Sequence, residues 1–253
     1  MNLQATLTAP RLGASAPALP RLSRRAGFWA IALAFLAVAA FSTAPSALYG
    51  LYAQREHLAP ITITIVYAVY AAGVTISLLL AGHVSDWYGR RVVLIPAIVV
   101  AAVAALVFIS WQSLAGLLVA RVLTGVALGA TVATATAYIA DLDAGRDGTV
   151  TRRAEVVGAI ASVGGLAVGP LASGVLARYA PDGLTLPYVV LLAALVVSGL
   201  GVLLAPEGHP AAHPLPTYRP QRLKVPAEAR PFSAPGTADH NQRSLIVGAE
   251  IYP

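Results

Sequence analysis

The chain has 253 residues, of which 57% are hydrophobic and 11% charged, against about 25% charged in an average soluble domain. A mean hydropathy of +0.72 excludes water as the main solvent, and the absence of cysteine excludes disulfides, thiolate metal sites and cysteine nucleophiles. The net charge of +6 does not mark a nucleic-acid partner, because almost every cationic residue falls between or outside the apolar runs.

Residues 1–26 are rich in Pro, Ala and Arg without periodicity, and are expected to form a disordered tail. Six apolar runs follow, near 27–50, 61–82, 92–110, 114–140, 155–176 and 187–205. Each is long enough to cross a hydrocarbon core of about 30 Å as a helix. Strands of a membrane barrel would alternate apolar and polar residues, whereas these runs are apolar all round. The expected fold is therefore an all-α bundle of six transmembrane helices over residues 27–206, with the lipid bilayer as its first partner. Arg24 and Arg25 before the first run, and Ser42, Thr43, Ala44 and Ala47 closing it, give it some likeness to a signal peptide. Its apolar character continues through Leu48, Tyr49 and Leu51, longer than a signal core, so the first helix reads as retained.

Between the second and third runs lies Gly82-His83-Val84-Ser85-Asp86-Trp87-Tyr88-Gly89-Arg90-Arg91, read as a short charged turn. Gly82 lets a neighbouring helix approach closely, Asp86 can accept from amides or a guanidinium, and Gly89 permits a positive-φ turn. Arg90 and Arg91 hold the turn on the cytoplasmic side. The spacing Gly-xxx-Asp-xx-Gly-Arg-Arg resembles the loop between the second and third helices of the major facilitator superfamily.

In the fourth run, Arg121 stands roughly 12 Å from the outer end at 1.5 Å per residue. A cation at that depth costs about 2.5 to 3.5 kcal/mol to insert, which favours a bundle interior or water-filled cavity over lipid. Snorkelling to the outer interface is the alternative. Gly125 and Gly129 follow on the same helical face, and Arg121-xxx-Gly125-xxx-Gly129 resembles the superfamily's fourth-helix motif. The fifth run carries Gly165-Leu166-Ala167-Val168-Gly169-Pro170-Leu171-Ala172-Ser173-Gly174. Gly165 and Gly169 share a face for close packing, and Pro170 removes an amide donor and bends the helix. This run resembles the antiporter motif of the superfamily, with Ser173 where a glycine is common. The resemblance implies a cavity-lining helix of an exporter that exchanges substrate for protons.

No Asp or Glu falls inside a predicted span. Asp141 and Glu155 sit at the cytoplasmic edge and are expected to pair with Arg90, Arg91, Arg152 or Arg153 rather than to carry protons at midplane. Tyr67 and Tyr70 share a face of the second run, near Thr62 and Thr64, and read as interface or packing residues before substrate contacts. No phosphate-cradling loop, metal-spaced histidine cluster or nucleophile elbow is present, so neither an enzyme nor a cofactor is expected. His209 and His213 flank prolines in the tail, where no helix would align them.

Half of the 18 prolines lie between Pro206 and Pro253, and residues 207–253, with no run able to span a bilayer, are expected to form a disordered, basic tail. With an inside N-terminus, the inside segments hold Arg11, Arg21, Arg24, Arg25, Arg90, Arg91, Arg146, Arg152, Arg153, Arg219, Arg222, Lys224, Arg230 and Arg243, and the outside loops only Arg55 and Arg178. That bias predicts both termini in the cytoplasm. One lysine among so many arginines, with abundant Ala, Val and Gly, suggests a GC-rich bacterial genome and hence the inner membrane. Over residues 27–226 the three motifs in order resemble the N-terminal half of a superfamily permease, a drug or metabolite exporter. A complete member has two six-helix halves with the small-molecule substrate between them. The expectation is thus a truncated N-terminal half, inactive alone or completed by a homodimer or by the missing C-terminal half. The rival expectation is a non-transporting membrane protein that binds or regulates a full-length permease.

Overall fold

In a computed structural model, residues 22–144, 151–179 and 182–207 are described, apart from the side chains at 82–84, 86 and 87. All of them belong to one compact unit, residues 1–215. The described residues form seven helices and no strand: α1 (Arg24–Thr43), α2 (Pro45–Glu56), α3 (Pro60–Tyr88), α4 (Arg90–Ser110), α5 (Leu114–Asp143), α6 (Arg152–Tyr179) and α7 (Leu186–Leu204). Six spans long and apolar enough to cross a membrane result, with α1 and α2 counted as one. The histidines of the tail and both expected tails up to residue 21 and from 208 lie outside the described residues.

Two boundaries differ from the sequence reading. The first span is longer than residues 27–50 and is broken: α1 ends at Thr43, and Pro45 starts α2 after the single residue Ala44. Pro45 has no amide hydrogen to give to the turn before it, so the carbonyl of Phe41 loses its helical donor. The charged turn after the second span is also mostly helix. Nothing from His83 to Tyr88 forces a break, and α3 runs through Asp86 to Tyr88. Only Gly89 leaves helical geometry, at φ 97° and ψ 148°, a region in which a side chain would be strained. One glycine thus makes the whole corner between α3 and α4.

α1 and α5 form the centre and are the most buried spans. α5 packs against α1, α3, α4 and α6, while α1 packs against α5, α6 and α7; α7 closes the ring against α4. Glycines set the two tightest approaches. A Cβ on Gly125 would lie 2.5 Å from the carbonyl oxygen of Tyr70, and one on Gly129 2.4 Å from that of Val74, so α3 and α5 touch backbone to backbone. Ser77 locks this pair by donating to the carbonyl of Val126 at 2.7 Å. On the other side, a Cβ on Gly165 would meet the carbonyl of Leu36 at 2.6 Å, and one on Gly169 that of Ala40 at 2.1 Å. Small residues replace bulk because lipid tails give no hydrophobic drive between helices, and close van der Waals contact must supply the attraction. Aromatic packing fills the wider gap between α1, α4 and α7, where Phe108 stacks on Tyr188 at 4.5 Å between centroids and meets Phe41 edge-on at 6.2 Å.

The outward faces are apolar. Ile61, Ile65, Ile76, Leu79 and Leu80 on α3 and Ile160, Val163, Leu171 and Val175 on α6 are exposed. A soluble monomer rarely shows so continuous an apolar surface, whereas lipid tails solvate it without penalty. The fold is that of a multi-pass membrane protein.

Candidate functional site

Arg121 is the largest fully buried side chain, at 1% exposure, so it does not snorkel. Its Nη1 donates to the carbonyl oxygen of Ser42 at 2.8 Å, three residues before Pro45. Three tyrosine rings surround the guanidinium carbon, with centroids at 5.0 Å for Tyr49, 5.9 Å for Tyr67 and 5.1 Å for Tyr70. The kink, α2, α3 and α5 therefore converge on one cation.

The balance at this point is incomplete. A hydrogen bond from a charged donor contributes about 1.5 to 3 kcal/mol, and a desolvated ring face about 2 kcal/mol. Yet Nε and Nη2 of Arg121, and the hydroxyls of Tyr49, Tyr52 and Tyr188, are buried without a hydrogen-bond partner among the described residues. Each such group costs about 1 to 3 kcal/mol, more where it is charged. Unpaired polar atoms gathered around one buried cation are costly for stability alone and mark a place where a ligand can be held.

Ser173, on α6, meets the same kink from the other side. Its hydroxyl lies 2.8 Å from the carbonyl of Ala44 and equally close to that of Gly169 in its own helix. Thr43 in turn donates to the carbonyl of Leu166 on α6 at 3.1 Å. Pro170 lies within α6, one residue beyond Gly169 where α1 is closest. Gly174 has only an ordinary 3.7 Å contact to Ala47 awaiting a Cβ there.

At the end of the bundle that carries Gly89, Arg90 spans two helices. Its Nε is 3.3 Å from a carboxylate oxygen of Asp141 on α5, and its Nη1 donates to Ser85 on α3 at 2.9 Å. Arg24 donates to the carbonyl of Asp141 at 2.8 Å, and Arg91 to that of Leu203 on α7. Arg153 pairs with Asp143 at 3.6 Å while lying over the ring of Phe28 at 4.7 Å. Asp141 thus joins the predicted partner Arg90, whereas Glu155 is exposed and has no ion pair among the described residues. The side chain of Asp86 lies outside the described residues; Gly82 stands on α3.

The structure gathers the sequence-predicted residues into two places. Gly89, Arg90 and Arg91 belong to the charged end; Arg121, with Gly125 and Gly129 on one side and Gly165, Gly169 and Pro170 on the other, surrounds the kink. Sequence reasoning missed Ser42, Tyr49, Tyr52 and Tyr188, and gave Tyr67 and Tyr70 packing duties. Pro45 marks the interruption of the first span, yet nothing local marks Ser42 as the acceptor for Arg121. Nothing local marks the tyrosines, which reach Arg121 only through helix packing.

Comparison with known protein families matches residues 30–238 to the Major Facilitator Superfamily. No curated protein matches the chain.

Proposed function

The chain belongs to the Major Facilitator Superfamily and is a membrane transport protein for small solutes, and from that premise we propose that its bundle forms one wall of an export path that exchanges solute for protons. The observation that carries this reading is the buried, incompletely paired Arg121 beside a kinked span that α5 and α6 both clasp. The glycine-proline run of α6 supports the antiporter assignment, because it brings α6 against the kink. Alternating access needs a second bundle as the opposing wall, supplied by a second copy or by a separate six-helix segment. The arginine-rich end supports a cytoplasmic orientation, and with it a reading of export across a bacterial inner membrane.

No Asp or Glu lies at the middle of a described span, and Asp141 at the helix end is paired with Arg90. The test is to express the chain in an exporter-deficient bacterium, confirm insertion, and measure efflux of lipophilic cations, neutral amides and organic acids with the proton gradient intact or collapsed. Gradient-dependent efflux that Arg121→Ala abolishes is the expected result. Insertion as a dimer without efflux of any of these solutes overturns the exporter reading.

A further inference from the structure

We propose that the Nε and Nη2 edge of Arg121 binds the carboxylate of a small organic acid, so that the solute handled by this bundle is an anion with a compact apolar body. The proposal rests on the transport reading above and names its substrate class.

The guanidinium has two kinds of neighbour, and they leave one edge open. Nη1 is committed to the Ser42 carbonyl at 2.8 Å. The tyrosine rings offer their faces to the cation, an attraction that accepts no hydrogen bond from the Nε and Nη2 hydrogens. These two groups, both buried and unpartnered among the described residues, form the side of the guanidinium that presents parallel N–H bonds. That fork matches the two oxygens of one carboxylate, whereas a single carbonyl or hydroxyl fills only half of it.

No carboxylate among the described residues pairs with Arg121. On α3 the neighbours of the Arg121 region are Tyr70 and Gly73, by their contacts with Gly125 and Val122; Asp86 lies about 24 Å further along that helix at 1.5 Å per residue. Asp141, on the same helix as Arg121, is about 30 Å away by the same measure. The hydroxyl of Tyr49 lies beside Arg121, and those of Tyr52 and Tyr188 lie beside each other, with all three buried. They are donors that an incoming anion can use. The surrounding rings favour an apolar or aromatic body on that anion. A lipophilic cation would meet uncompensated positive charge. Tyr67 is 42% exposed with its ring centroid 5.9 Å from the guanidinium carbon, and rotation of that partly exposed ring is the acid's entry route.

The test is equilibrium binding to the purified full chain in lipid nanodiscs, by calorimetry, of benzoate and hexanoate against benzamide, hexanamide and hexylamine. The acids are expected to bind at least about tenfold more tightly than their amides, and hexylamine not at all. Arg121→Lys keeps the charge but removes the fork, and should weaken the acids about tenfold while leaving the amides unchanged. Should that variant fail to fold, Tyr49→Phe retains the ring and loses one donor, and should weaken the acids several-fold. Equal binding of acids and amides, no saturable binding of either acid to folded wild-type protein, or undiminished acid binding in folded Arg121→Lys overturns the proposal. Acid binding without gradient-driven efflux would leave the site standing and remove the export reading; efflux of amides or cations without acid binding would do the reverse.

Discussion

The hydroxyl of Ser173 lies 2.8 Å from the carbonyl oxygen of Ala44, the residue between the two halves of the first span. A serine on α6 therefore ties that helix to the backbone at the point where Pro45 interrupts the first span. Replacing a glycine by serine at this place has a structural reason, since glycine carries no hydroxyl to reach the kink.

Ser173→Ala should lower stability by about 1 to 3 kcal/mol, the usual cost of a buried carbonyl left without its donor. The single hydroxyl proton is shared with Gly169, so the lower end of that range is expected. Unfolding of the purified protein in mixed detergent measures the change. An unaltered midpoint would mean that the serine bonds only within its own helix.

Glycines that look alike in the sequence should respond differently to alanine. A Cβ on Gly169 would stand 2.1 Å from the Ala40 carbonyl, whereas one on Gly174 would stand 3.7 Å from Ala47. Gly169→Ala must push α1 and α6 apart and should destabilise by about 1 to 3 kcal/mol. Gly174→Ala should be neutral or stabilising by up to about 1 kcal/mol, from helix propensity. The same unfolding assay ranks the two, and a reversed order would contradict the described packing of α1 on α6.

Asp141→Asn removes the charge that Arg90 meets at 3.3 Å. Both side chains are about one-fifth exposed (21% and 19%), so solvent screens the pair and the expected loss is small. It should amount to about 1 kcal/mol. Protease cleavage near Gly89 should rise in parallel, because Arg90 also holds Ser85 on α3. An Asp141→Asn protein as resistant as wild type would show that Arg90 is held mainly by Ser85 and its other neighbours.

The cysteine-free chain makes orientation directly measurable. Cysteines placed singly at Asp182, between α6 and α7, and at Glu207, beyond α7, stand at opposite ends of the last span. Intact cells should label Asp182→Cys with an impermeant maleimide and protect Glu207→Cys until they are permeabilised. The opposite pattern would invert the charge-based orientation.

Much of this arrangement is legible in the residues because bilayer crossing leaves few choices. A run such as Arg90–Ser110 has the length and composition of a spanning helix and little else. The four-residue spacing of Gly125 and Gly129 marks a face for close approach, and the structure places α3 there. The partner of each face was not legible, since nothing in Gly165 or Gly169 says that α1 is the helix they meet. Charged residues misled at Asp86, which continues α3, because a polar sequence beside an apolar run looks like a loop while its backbone has no reason to stop being helical. The tyrosine box was hidden for a third reason. Tyr49, Tyr67 and Tyr70 sit at ordinary interfacial-looking positions, and only the crossing of α2, α3 and α5 brings their faces around Arg121.

Pro45 divides the hydrogen-bond ladder of the first span into two levers, joined at Ala44 with helical dihedrals (φ −49°, ψ −44°), and the acceptors at the join are gripped by different helices: Ser42 by Arg121 of α5 and Ala44 by Ser173 of α6. The outer lever α2 cannot tilt relative to α1 without stretching at least one of those grips. An anion that draws the guanidinium away would slacken the α5 grip and leave α6 holding alone. Occupancy at the cation and the angle of the outer lever are then mechanically linked, through a joint only three residues long.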